Sequence, residues 1–253
     1  MDQSNLYVIY DRDPGPIVSF VEHLRGAYAL PRPGRLLDMG CGPGRLLAPL
    51  TESGWSVVGY EPDPDYAGAA EAKATELPGG RIRRAGLLDL DEIGAFDLIA
   101  AVNGPYSYLL EPEQRREALD RCARALRPGG VLFLEFGNFY WILKNYRAPA
   151  AEEFNAEGIL VTRTAHHDID FHRGTFVHHD RFTWVDESGV QQVVSKTHRM
   201  AIVSFPEVAY FLRELGYTDI RTFSSYEDRN ASELTGRTVL IAARAPSGLH
   251  ALP

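Results

Sequence analysis

Three glycines at alternate positions, Gly40, Gly42 and Gly44, stand directly after the apolar run RLLDM of residues 35–39. A strand that empties into such a turn can bring bare backbone against a dinucleotide or a nucleoside, or can simply reverse the chain tightly. Pyrophosphate sites space their glycines G-x-G-x-x-G; here the third glycine arrives one residue early and Pro43 stiffens the turn. Asp38, two residues before the first glycine, would repel a phosphate and attract an ammonium group. The ligand expected over this loop is therefore cationic. Glu61 closes a second apolar run, VVGYEPD, 23 residues after Asp38. A carboxylate there can accept both hydroxyls of a ribose, or can lie solvated at a strand end.

Asp38, Gly40, Cys41, Gly42 and Gly44 together resemble the D-x-G-C-G-x-G motif of class I S-adenosylmethionine-dependent methyltransferases. The resemblance implies S-adenosyl-L-methionine as cofactor and S-adenosyl-L-homocysteine as product. It lays the amino acid part of the cofactor over Gly40–Gly42, with Asp38 ordering the loop or meeting the ammonium, and the ribose at Glu61 and the adjoining Pro62. Family members often carry an acidic residue in a GDLLDL run; here the run reads AGLLDL, with Gly86 in that place, so adenine falls to backbone amides near Leu87 and Leu88 or to Asp89. The segment AAVNGPYSYL implies Val102 and Asn103 beside the sulfonium, and Tyr106 and Tyr108 lining the acceptor cavity. A second stretch, KTHRMAIVSFPE, resembles bacterial amino-sugar N,N-dimethyltransferases of macrolide pathways, whose His-Arg pair is matched by His198 and Arg199. Arg199 would then meet substrate or tie an insertion to the core through a carboxylate.

An in-line methyl transfer needs alignment and exclusion of water more than a protein nucleophile. An amine or hydroxyl acceptor still has a proton to lose, and His198, His179 and Tyr108 are the candidates for receiving it. Phe139, Tyr140 and Trp141 sit just past the fifth strand, where open α/β sheets bind ligands, and are the expected pocket wall. Tyr7 and Tyr10 are expected to close a lid over it.

The elements that must hold these groups follow from periodicity. Short apolar strands at 35–39, 56–60, 81–85, 97–102 and 131–136 alternate with helical patterns, which predicts βαβ units and a parallel sheet. Residues 112–126 form the clearest helix, with Leu119, Cys122 and Leu126 as its stripe and Pro128–Gly130 as its stop. The helix after the glycine loop should start early and kink at Pro49. Residues 159–171, 174–185 and 190–202 read as an antiparallel insertion, and a turn centred on Arg173 and Gly174 would pair Asp168 with His179 and His167 with Asp180. Ser204 and Glu207 predict a capping box for the next helix, and strands at 218–223 and 237–244 complete the core.

The fold class expected is thus α/β, a Rossmann-like, seven-stranded, mostly parallel sheet with helices on both faces and an antiparallel insertion after the fifth strand. Residues 1–30 form a lid segment, 31–137 and 203–245 the cofactor-binding core, 138–202 a substrate cap, and 246–253 a tail. A formal charge of −8 over 253 residues lacks the basic footprint of a nucleic-acid or anionic-membrane partner and leaves a small-molecule acceptor. Two cysteines read as free thiols of a cytoplasmic protein. Six of the eight histidines fall between His166 and His198, yet no helical H-x-x-x-H or cysteine partner supports a metal, and cross-strand polar pairing is the reading adopted. Exposed edges of the insertion offer a route to a homodimer. Two other functions fit the glycine loop, a nicotinamide-dependent oxidoreductase and a non-catalytic S-adenosylmethionine-binding module. The glycine spacing opposes the first, and the aromatic segment with the insertion opposes the second.

Overall fold

The strand FDLIAA (β4, Phe96–Ala101) is buried at every position and GRLLDM (β1, Gly34–Met39) at all but one, a pattern that requires cover on both faces of the sheet. The computed structural model describes residues 13–145, 151–156, 158–228 and 233–246. Around β1 and β4 the core carries α1 (Gly15–Ala27), α2 (Leu47–Glu52), β2 (Trp55–Tyr60), α3 (Pro64–Ala74), β3 (Arg81–Arg83), α4 (Pro112–Ala125), β5 (Leu126–Gly137) and α5 (Phe139–Lys144). Four further strands follow, β6 (Glu152–Ala156), β7 (Ile159–Asp170), β8 (Thr175–Val185) and β9 (Gln191–Ala201). The chain then returns through α6 (Phe205–Glu214), β10 (Thr218–Phe223) and β11 (Thr238–Arg244).

The main sheet runs β10-β11-β5-β4-β1-β2-β3, with β11 antiparallel to both of its neighbours and the remaining pairs parallel. Alternate strand residues feed two apolar layers. Leu36, Val57, Leu98 and Phe133 face Phe20 and Leu24 of α1 and Leu50 of α2, while Leu37, Val58, Ile99 and Leu134 face Leu119 and Cys122 of α4 and Val208 and Leu212 of α6. From β1 the chain proceeds to β2 on one side and, later, to β4 on the other. That reversal opens a crevice at the carboxyl ends of β1 and β4, where ligands of open α/β sheets bind. Among the described residues no helix is long and apolar enough to cross a membrane.

Several local expectations are corrected. The helix after the glycine loop begins only at Leu47, so Pro49 falls in its first turn, where no amide is needed and no kink arises. The fifth strand begins at Leu126, so Leu126 leaves the α4 stripe, and the Pro128–Gly130 turn lies inside the strand as an irregularity between its pairings to Phe96 and Leu98. Ser204 Oγ accepts the Glu207 amide at 3.3 Å, but the Glu207 carboxylate turns away to Arg115 Nε at 2.6 Å, so only half of the capping box forms. Strand β3 is shorter than expected, and β6 was not foreseen.

The insertion is a four-stranded antiparallel sheet in the order β6-β7-β8-β9. Its first long hairpin turns over four residues rather than two, because the Asp170 carboxylate accepts the amides of His172 and Arg173, both at 3.0 Å, and ends β7 there. His166 therefore faces His179 and His167 faces His178, replacing the expected Asp168–His179 and His167–Asp180 pairs. A shift of two keeps every side chain on its face. Three contacts seat the inner face on the core: Lys196 Nζ to Tyr66 Oη at 2.6 Å, His198 to Tyr108, and the Phe176 ring 5.2 Å from that of Phe139.

Arg115 joins three segments around the crevice. It is buried, bonds Glu207 of α6, and donates to the Leu109 and Leu110 carbonyls at 2.8 and 2.7 Å. Arg115→Met should lower unfolding free energy by about 3 kcal/mol in urea titrations, since buried acceptors lose their donor. Arg124→Ala, which breaks an exposed pair with Asp120, should change it by less than about 0.5 kcal/mol.

Candidate active site

Asp38 lies at the carboxyl end of β1, only 2 % exposed. Its Oδ2 is buried with no hydrogen-bond partner among the described residues. Burial pushes its carboxyl up to about 7; Arg45 opposes the rise and the Glu61 carboxylate adds to it. The expectation of a plain negative charge is thereby corrected: at neutral pH this group is poised between its two forms, and a cation against Oδ2 would favour the carboxylate.

The loop that follows has spent its amides. Gly40 N and Cys41 N donate to the Tyr60 carbonyl at 2.8 and 3.0 Å, Gly42 N to Glu61 Oε2 at 2.8 Å, and Gly44 N to the Cys41 carbonyl at 3.0 Å. It offers acceptors rather than donors, which suits an ammonium. Gly40 has φ +74°, and a Cβ there would stand 2.7 Å from Pro105 Cβ. Gly42 has φ +55°, and a Cβ there would meet nothing within 4 Å, so the backbone borders open space. An unpartnered buried oxygen beside left-handed glycine backbone is the fit that a cationic nucleoside requires. Cys41 is a spacer instead: its sulfur packs against Gly59, and burial pushes its thiol far up.

Glu61, also buried, accepts Gly42 N on one oxygen and Asp63 N at 2.9 Å on the other. Burial raises its pKa, while the Asp63 and Gly42 amides and, more distantly, Lys196 draw it down. Each oxygen keeps a lone pair, so the group can anchor the loop and accept a further hydroxyl. Pro62 beside it is exposed. At the other end of the crevice Asp89 Oδ2 accepts Gly86 N at 2.7 Å and so caps its own turn, with Leu88 half-buried. Val102 is buried, and Asn103 takes φ +62° with its amide donating to Glu135 Oε2 at 2.6 Å. Glu135, which also accepts from Tyr226 Oη, was missed in the sequence, although an acid inside the apolar run VLFLEF was a visible signal.

The cap sorts its own candidates by strand alternation. Along β9, Lys196 and His198 point inward and Thr197 and Arg199 outward. Tyr108 Oη is hydrogen-bonded to His198 Nδ1, with ring centroids 5.8 Å apart. Burial in the crevice pushes the Tyr108 phenol up to about 12, with Glu61 and Asp180 adding to it, although one edge of the ring is open. Burial and then Lys196 push His198 down to about 4. At neutral pH a protonated phenol therefore donates to a neutral imidazole. Lys196, missed in the sequence, shares the alternation of His198 and stands 4.0 Å from Asp63 Oδ2. Behind them, burial would raise Asp180, but His178 at 2.8 Å and Arg163 at 2.7 Å hold it down to about 2.

Other candidates are not brought to this crevice. Tyr106 is fully buried in the core with its hydroxyl on the Arg115 carbonyl, because the turn at Pro105–Tyr108 directs it inward and Tyr108 outward. His179 and Arg199 lie on the outer face, His179 bonded to Asp168 and Thr197. Phe139 is buried, Trp141 half-buried and Tyr140 exposed. These three, with Lys144, Phe205 and Leu234, line a separate cavity of about 620 Å³ between α5 and the start of α6. Tyr7 and Tyr10 lie outside the described residues.

Residues 36–130 match the family model described as "Methyltransferase domain". The chain is 33% identical over 134 residues to a ubiquinone biosynthesis O-methyltransferase of Rhizobium etli (strain CIAT 652), covering 50% of this chain and 48% of the relative. It thus spans about half the length of that relative. Among solved structures, the sugar N-methyltransferase KedS8 from Streptoalloteichus sp ATCC 53650 superposes with a TM-score of 0.76 at 21% identity, covering 95% of this chain and 91% of that one. CalS10 bound to S-adenosylmethionine, an amino pentose methyltransferase from Micromonospora echinaspora, superposes with a TM-score of 0.75 at 22% identity, covering 95% and 94%. Glycine loop and sheet order thus coincide with the stretch that matches a methyltransferase domain, and the chain as a whole shares the fold of these two sugar methyltransferase structures.

Proposed function

We propose that this enzyme methylates a nitrogen or oxygen atom of a small molecule held between the glycine loop and the inner face of the β6–β9 sheet. One observation carries the reading: the alternation of β9 turns Lys196 and His198 toward the core, where His198 meets Tyr108 within the field of Glu61. A sugar-like amine is the favoured acceptor class. KedS8 and CalS10, named for sugar and amino pentose methylation, resemble this chain over both core and cap, whereas the ubiquinone relative matches half of it.

When bound, S-adenosylmethionine supplies an electrophilic methyl carbon on a sulfonium. Asp38 and the loop carbonyls would hold its ammonium, Glu61 its ribose hydroxyls, and backbone near Leu87 and Leu88 its adenine. Alignment and exclusion of water by the seated cap can contribute roughly 7–11 kcal/mol in favourable cases. Tyr108 Oη is the atom that faces the acceptor. It accepts a hydrogen bond from the acceptor while donating its own to His198 Nδ1, so the pair orients the acceptor's lone pair. The proton displaced on methylation passes out to solvent, because an imidazole held down to about 4 does not retain it.

The direct test is mass spectrometry of candidate amino sugars and phenols incubated with the enzyme and methyl-labelled donor. A labelled amino sugar product supports the assignment, and labelling confined to phenols would overturn the sugar-amine part of it. Tyr108→Phe and His198→Ala should each lower kcat by about 10²-fold. S-adenosylhomocysteine affinity should stay within twofold, and the double variant should be no slower than either single one, because the two groups act as a unit.

Asp38 supplies a pH signature. Its folded pKa of about 7 exceeds the unfolded value of about 3.9, so the folded chain holds more protons in that window and loses stability as pH rises through it. Asp38→Asn should therefore gain stability relative to the parent between pH 4 and pH 8, by roughly 2–4 kcal/mol at the upper end. S-adenosylhomocysteine carries the same ammonium. Its affinity for the parent should be about tenfold weaker at pH 6 than at pH 8 and nearly pH-independent in the variant, read by calorimetric titration.

A further inference from the structure

The outer face of the cap gathers three metal-ligand atoms that the sequence holds apart. His166 on β7 faces His179 on β8 in register, and Asp168, two residues along β7, reaches His179 on the diagonal. The two imidazoles stack with centroids 4.4 Å apart and planes inclined by 12°, so their in-plane lone pairs run side by side, and a rotation of the exposed His166 ring brings both to one ion. One donor atom from each of His166, Asp168 and His179 lies within 4.8 Å of the other two. We propose that these residues form a site for a divalent transition-metal ion of the zinc, cobalt or nickel kind.

The chemistry of the set supports that class. Two imidazoles and one carboxylate are a borderline N₂O donor set, suited to these ions rather than to magnesium or calcium, which prefer all-oxygen cages. Tetrahedral zinc with bonds of about 2.0–2.1 Å needs ligand atoms roughly 3.3 Å apart. His166 is exposed and the Asp168 side chain is 73% exposed, so modest side-chain rotations can close the gap without moving backbone. The distal nitrogen of His179 is already held: Nδ1 bonds Thr197 Oγ1 at 3.0 Å on β9, while Nε2 points to Asp168 Oδ2 at 3.1 Å. Metal-bound histidines are characteristically oriented by such a partner on the other ring nitrogen. The fourth coordination position opens to solvent. A bound ion would join β7 to β8 through side chains and, through Thr197, bear on β9, on the face opposite Lys196 and His198.

The site is independent of the methyl-transfer reading and is tested without turnover. The untagged full chain is titrated with Co²⁺ or Zn²⁺ alone, following calorimetric heat and the visible absorption of Co²⁺. One ion per chain is expected, with affinity falling on acidification as protons compete for the imidazoles, and with a thermal midpoint that rises with metal concentration. His166→Ala, Asp168→Asn and His179→Ala should each weaken binding at least tenfold, while His172→Ala, which removes an exposed imidazole in the adjoining turn, should change it less than twofold. The site is refuted if the parent binds no ion at millimolar metal, if the three variants bind like the parent, or if His172→Ala weakens binding as much as they do. These are surface positions, and circular dichroism of each variant separates loss of ligand from loss of fold.

Discussion

The Glu61 carboxylate is the joint on which the crevice depends. One oxygen holds the amide of Gly42 and the other that of Asp63, so a single buried group clamps the loop after β1 to the loop after β2. A buried carboxylate is costly unless hydrogen-bonded, and these two amides are the donors that make it tolerable. The clamp extends outward. Asp63 caps α3 through the amides of Asp65 and Tyr66, and Tyr66 in turn receives Lys196 from the cap. The backbone of the glycine loop and the β6–β9 sheet are therefore referenced to one side chain.

The same arrangement creates an electrostatic imbalance. Asp38 and Glu61 are both buried and both raised first by that burial; Glu61 adds to the rise of Asp38 and Asp63 to that of Glu61, and the nearby cations Arg45 and Lys196 offset this only in part. Because the loop amides are consumed internally, the empty space beside Gly42 is bordered by acceptors and carboxyls. A positively charged ligand completes this environment where an anionic one would aggravate it. That is the physical content of the shortened glycine spacing.

Much of this was readable from residue types. Positive φ at the loop demands glycine, uninterrupted apolar runs demand a doubly covered sheet, and the alternation of β9 follows from its sequence. What escaped depended on single side chains that redirect the chain. Asp170 capping its own turn moved the hairpin register by two, and the turn at Pro105 separated Tyr106 from Tyr108, two tyrosines that look equivalent in the sequence. Glu207 fits a capping box by spacing, yet Arg115, 92 residues away, offers a buried charge partner that water near Ser204 cannot match. Such competition between a local and a distant partner has no signature in a local pattern.

The turn between β8 and β9 has a consequence of its own. Asp186 gathers the Ser188 and Val190 amides and the Gln192 side chain, and thereby sets where β9 begins. Inserting or deleting one residue there would present Thr197 and Arg199 to the crevice in place of Lys196 and His198, while leaving the donor pocket untouched. A single-codon change in a hairpin tip can thus exchange the whole face that the cap turns to the crevice, so the two halves of the molecule are free to diverge at different rates.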